Sequence, residues 1–170
     1  NKFTNNKYID LKLNENSQPI IDQREYKISP IKIEVAEKKS DNLVFFENEL
    51  DFKSFNTDNY KKIYCIMLAN EERQVKLGNK VLEYKKNLIK NQIQNADLHI
   101  EFIEGNKFIE ISSNEKEFDI IYPSVGENMS FLKRTMKKNN LILNYLIRDE
   151  DKYCWQFSNK GYFNFKSNIP

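Results

Sequence analysis

Enzyme chemistry needs acids, bases, nucleophiles or metal ligands close together, and this chain is short of them. His99 is the single histidine in 170 residues. A Ser-His-Asp or Cys-His arrangement would therefore rest on His99 alone, beside Asp97 on what reads as a strand. A zinc site needs clustered nitrogen and sulfur ligands, yet Cys65 and Cys154 lie far from His99 and from each other in sequence. Those two cysteines could form one disulfide in an oxidising compartment, and would stay buried thiols in a reducing one. The chain has four glycines, whereas a phosphate-cradling loop needs several at close spacing. No catalytic residue, cofactor or nucleotide loop is expected from these types and spacings.

Charge is the more informative chemistry. The net charge is +2, too small to draw the whole chain to a polyanion, but it is unevenly spread. Lys133, Arg134, Lys137 and Lys138 fan around one side of a short segment whose other side carries Met129, Leu132 and Met136. Phe131 sits beside Arg134 and Lys138 on the helical wheel. Such a fan suits an acidic protein surface, or a phosphate backbone with a base stacked on the ring. Between Asp97 and Pro123 the balance reverses, with seven acidic residues against two lysines. Lys85 stands apart: with Gly78 and Gln92 it runs down the middle of an apolar helix face. There it must snorkel to water, pair with a buried carboxylate or face a groove, and snorkelling is expected.

These residues need elements to hold them. Asn70 to Asn95 reads as a long helix, with Asn70 as its cap and Glu71 and Glu72 in its first turn. Leu77, Val81, Tyr84 and Leu88 form one apolar stripe, and Val75, Leu82, Ile89 and Ile93 another, so the helix is expected to wedge between surfaces or cover a sheet. A short helix runs from about Gly126 to Asn139, with Ser124 as a possible cap residue. Strands are expected at Ile9–Leu13, Ile31–Val35, Leu43–Phe46 and Ile63–Leu68, the last as a continuous apolar run. Ile100–Ile103 and Phe108–Ile111 flank Gly105-Asn106 and read as a hairpin. That pairing sets Glu101 against Glu110. Phe118–Tyr122 would add a third strand. The tail reads as a second meander of Leu141–Ile147, Tyr153–Phe157 and Tyr162–Phe165, turned at Asp149-Glu150-Asp151. The expected fold is α+β: antiparallel sheet, as two three-stranded meanders plus N-terminal strands, packed with one long and one short helix. Residues 1–170 are expected to be one domain, with 1–30 a weakly ordered or edge-strand segment.

The order long helix, three strands, short helix over residues 70–147 resembles that of PD-(D/E)xK nucleases. The resemblance implies two carboxylates holding a divalent cation and a lysine polarising the attacking water. Asp97 and Glu110 would supply the acids. Position 112 is Ser112 rather than lysine, so Lys107 or Lys116 would have to serve.

Apolar residues make up 39% and aromatics 13%, and a chain that rich in aromatic rings folds. The 23 asparagines and 23 lysines against four arginines and three alanines reflect AT-rich codons, the mark of an AT-rich microbe. No apolar run is long enough to span a bilayer. The chain opens on Asn1 rather than Met, as expected of a processed or trimmed protein, which leaves cytoplasmic and extracytoplasmic compartments open. The reading is a non-catalytic protein-interaction domain, such as a toxin-neutralising immunity-type protein or a soluble domain of a secretion or conjugation apparatus. Phe131, Lys133, Arg134, Lys137, Lys138 and Lys85 are its candidate partner-binding residues. A metal-dependent nuclease using Asp97 and Glu110 is the first alternative, and a nucleic-acid-binding module the second.

Overall fold

A strand that is apolar at every position needs cover on both faces, and helices on both faces are what a parallel sheet provides. The computed structural model describes residues 38–157 and 165–167, all within the unit Ile33–Pro170. Its strands are β1 (Asn42–Phe46), β2 (Lys62–Met67), β3 (Ile100–Glu104), β4 (Glu117–Ile121) and β5 (Ile142–Leu146). They form one five-stranded sheet in the order β3-β2-β1-β4-β5, and every neighbouring pair is parallel. The helices are α1 (Asn79–Gln94), α2 (Gly105–Asn114), α3 (Glu127–Asn139) and α4 (Asp149–Trp155). A single 3-10 turn, Phe52–Ser54, fills the connection from β1 to β2.

The two-residue period of the strands sends side chains alternately into two cores. Val44, Phe46, Tyr64, Ile66, Phe118 and Ile120 point to one face and meet Phe108 of α2 and Phe131 and Leu132 of α3. Leu43, Phe45, Ile63, Cys65 and Ile121 point to the other and meet Phe52, Ile89 of α1 and Ala96. Connections on the β3 side of β1 thus cross one face, and those leading to β4 and β5 cross the other. This is a doubly wound α/β arrangement.

The antiparallel α+β expectation is overturned, and three local misreadings account for it. Gly105-Asn106 is no hairpin turn; Gly105 opens α2. A methyl carbon on Gly105 would sit 2.7 Å from the Glu72 carboxyl carbon, so glycine is there to let a side chain approach the backbone. The segment expected as a returning strand, Phe108–Ile111, is therefore helical, and Glu101 and Glu110 do not pair. Asp149, Glu150 and Asp151 are not a turn but the first turn of α4, where negative charge complements the helix dipole. Tyr153–Trp155 is consequently helix rather than strand. The long helix begins at Asn79, not Asn70, with Gly78 at its N-cap. Asn70 instead clamps the preceding loop, its side chain accepting from Leu77 N–H and donating to the Leu77 carbonyl, both at 2.9 Å.

Other expectations hold. The strands at 43–46, 63–68, 100–103, 118–122 and 141–147 and the short helix are present within a residue or two. Asn140 closes α3 in the left-handed conformation (φ 53°) that Asn tolerates better than most side chains. The strands expected at Ile9–Leu13 and Ile31–Val35 lie outside the described residues, as does nearly all of Tyr162–Phe165. Among the described residues no helix is long and apolar enough to cross a membrane.

Candidate binding face at the carboxyl edge

In open parallel sheets, ligands meet the crevice outside the carboxyl ends of the strands, where neighbouring connections diverge. Here that point lies between β1 and β4. Residues leaving β1 and β4 are bound together there by charge. Glu47, the residue after β1, has a side chain only 1% exposed. Its Oε1 accepts from Arg73 Nη2 at 3.2 Å and from Lys85 Nζ at 2.6 Å. The Arg73 guanidinium, 5% exposed, spends its other donors on Glu127 Oε2 of α3 (3.0 Å) and the Leu68 carbonyl (3.1 Å). Glu127 Oε1 in turn accepts from Val75 N–H at 2.9 Å. That backbone donor, with Arg73, holds the Glu127 carboxyl below the usual range despite some desolvation. The loop from Ala69 to Gly78 is thereby strapped across the carboxyl ends of β1 and β2. Glu47 Oε2 is buried with no hydrogen-bond partner in the described structure.

Arg148, just beyond β5, builds a second tie. Its guanidinium meets Glu49, Asp51 at 3.3 Å and Asp151 at 3.1 Å, and donates to Ser54 Oγ at 2.9 Å. Arginine can do this because its planar fork carries five donors at fixed angles, where lysine has a point charge.

Beside the strap, on the face of the sheet that carries α2 and α3, lies a cavity of about 530 Å³. Residues Glu71 to Gln74 form one wall, Arg134 and Lys138 the other, and Ile109, Phe131 and Thr135 the floor. Arg134 Nη2 donates to the Glu72 carbonyl at 3.3 Å, which fixes the guanidinium at the rim. Thr135 satisfies its own hydroxyl on the Phe131 carbonyl (3.0 Å). Glu72 accepts from Ala69 N–H at 2.8 Å, yet burial outweighs that bond and pushes its carboxyl above the usual range.

The residues singled out in the sequence divide clearly. Lys133, Arg134, Lys137 and Lys138 are exposed along α3, and Met129 and Leu132 are buried beneath them. Phe131 is not a surface ring: it is 2% exposed, edge-on to Phe46 and tilted against Phe108. Lys85 does not snorkel; it lies on the buried side of α1 and pairs with Glu47. The stripe of Val81 and Tyr84 that shared the helix with it is exposed. Asp97 is exposed in the turn before β3, and Glu110 is exposed on α2, paired with Lys107 at 2.9 Å. The adjacent-strand carboxylates that the nuclease resemblance implied do not form. Among the described residues no three His, Cys, Asp or Glu side chains converge as a metal site would require. Cys65 is buried in the sheet and Cys154 half-buried on α4, both as free thiols, so no bridge joins them in this structure. Burial raises the Cys65 thiol far above its ordinary range, leaving it unreactive.

Sequence reading missed Glu47, Arg73, Glu127 and Arg148. A signal was present: in a chain with 23 lysines, only four positions keep arginine. Two of them, Arg73 and Arg148, bridge several partners here, and a third, Arg134, meets the Glu72 carbonyl. Comparison of the chain with protein-family models, curated proteins and solved structures finds no match.

Proposed function

We propose that this chain is a non-catalytic binding domain that takes an acidic protein partner on the basic face of α3. The observation that carries the reading is the contrast between cations already used and cations left over. Arg73, Lys85 and Arg148 are neutralised inside the fold. Lys133, Arg134, Lys137 and Lys138 stand exposed in one row, and among the described residues none of them meets a carboxylate. Their helix is anchored by Met129, Phe131 and Leu132, so the row is displayed on a rigid base. Rigid display lowers the entropy lost on binding, and a row of like charge speeds encounter with its opposite.

An acidic protein is favoured over nucleic acid because the ring needed for base stacking is missing from the α3 face. Phe131 was the aromatic beside the cations, and it is committed to the core. Without a stacking platform, only backbone attraction would remain for a nucleic acid.

The test is the association rate with a labelled poly-glutamate peptide, followed by stopped-flow fluorescence. Reversing Lys133 and Lys137 to Glu should slow association about tenfold at low salt and leave the melting temperature unchanged, since exposed rim charges act chiefly through encounter. An unchanged rate would refute the α3 reading. Tighter binding of single-stranded DNA than of the acidic peptide would replace it with the nucleic-acid one.

A further inference from the structure

We propose that the cavity between Glu71–Gln74 and α3 is the anchor pocket for that partner, seating one large apolar side chain flanked by carboxylates. The inference rests on the α3 reading and names what the partner must carry. A charged row alone gives encounter but little residence, because exposed ion pairs contribute little net affinity. Lasting affinity comes from an anchor side chain that fills a pocket and is sealed from water. Along the basic row lies a concavity that two of its cations, Arg134 and Lys138, overhang.

Its volume, about 530 Å³, is far more than one carboxylate occupies, and its open, shallow form leaves the partner to close it over the anchor. Its chemistry is sided. Arg134 and Lys138 supply positive charge on the α3 wall, with Arg134 already held in place by the Glu72 carbonyl. Ile109 and the edge of Phe131 supply an apolar floor. The facing wall of Glu71 and Gln74, both exposed, offers acceptors suited to the N–H groups of an extended peptide. A segment with an aromatic residue between two acids matches all three: ring on the floor, carboxylates to α3, backbone N–H toward the strap. A free phosphate ester would satisfy only the cations and leave the apolar floor of Ile109 and Phe131 unfilled. The strap itself is fixed by Arg73, so the pocket is formed before binding.

The experiment uses fluorescence anisotropy with the full chain and two labelled peptides of equal charge. One carries Trp between pairs of Glu, the other Ala in the same place. The wild-type chain should bind the Trp peptide about tenfold tighter. Gln74 is exposed, so Gln74→Trp should plug the cavity without disturbing the core and abolish that preference. Equal affinity for both peptides, still weakened by the Lys133 and Lys137 reversals, would overturn the pocket and leave the α3 reading standing. A Trp preference that survives Gln74→Trp would also overturn the pocket, by placing the anchor elsewhere. Affinities that ignore the reversals would overturn the α3 reading itself.

Discussion

Each end of the parallel sheet holds a buried carboxylate, and the two are satisfied in opposite ways. At the amino edge, Asp119 is fully buried and accepts four neutral donors. Oδ2 takes Lys39 N–H (2.9 Å) and the Tyr60 hydroxyl (3.0 Å), while Oδ1 takes Ser40 N–H (3.1 Å) and Asn144 Nδ2 (3.0 Å). Burial and the nearby Asp119 charge keep the Tyr60 phenol protonated far above its usual range, so it remains a donor. At the carboxyl edge, Glu47 gives one oxygen to two cations and leaves the other bare. The amino edge is a finished hydrogen-bond knot, tying the entries of β1 and β2 to β4 and β5. The carboxyl edge is an ionic strap with a cavity beside it. A group with every lone pair used is structure; surplus charge beside a concavity is what binding draws on.

The largest effect should come from breaking the knot. Asp119→Ala strands four donors, two of them backbone N–H groups; the Ser40 N–H is buried and the other three part-buried, and a fully buried orphan costs about 1–3 kcal/mol. A loss of roughly 4 kcal/mol or more is expected in urea unfolding, with collapse of the fold as the extreme. A loss below about 1 kcal/mol would show that the knot is not what holds the amino edge. Glu47→Gln should cost less, about 2 kcal/mol, because Arg73 keeps Glu127 and Lys85 can turn to water, whereas a wholly uncompensated buried charge costs about 3–5 kcal/mol. If the two variants cost the same, the contrast between the edges fails.

Smaller and opposite in sign are the acid responses of Glu127 and Glu72. Glu127 titrates below its ordinary value of 4.5, so it adds stability above that pH and loses it as the pH falls through its folded value. Glu72 titrates above 4.5, so its charged form is a burden at neutral pH that disappears as acid protonates it. Glu127→Gln should therefore be less stable than the parent at pH 7, with the gap closing below pH 4.5. Glu72→Gln should be slightly more stable at pH 7, with its advantage gone by about pH 4.5. Thermal unfolding across pH 3–7 measures both, and gaps that stay flat with pH would contradict the assignment.

Much of the local structure was legible in the sequence, but the way the strands pair was not. Leu43–Phe46 and Ile63–Leu68 are apolar at every position, the mark of strands covered on both faces. That mark spoke for a parallel sheet, and the Gly105-Asn106 pair spoke against it. The glycine misled because its reason is long-range: Glu72 lies 33 residues earlier, and no local pattern reveals a side chain pressed on a backbone. Periodicity gave α3 with its buried side, and Lys133, Arg134, Lys137 and Lys138 with it. Phe131 was ambiguous because it lies at the border of that side, where a wheel cannot say which neighbour arrives. Lys85 was recognisable as anomalous on an apolar face, but its partner follows a different strand. The arginines of the strap were readable only against codon bias, as rare residues kept where a fork of donors is needed.

The central claim is that binding uses α3 and the strap beside it, not the knotted amino edge or the exposed α1 stripe. Amide chemical-shift mapping of the labelled chain, titrated with the Trp-bearing acidic peptide, tests this most directly. The account predicts the largest shifts at Gln74, Ile109, Arg134 and Lys138, with Lys39, Ser40 and Asn42 unmoved. Shifts centred instead on Val81 and Tyr84 of α1, or on the residues around Asp119, would contradict it.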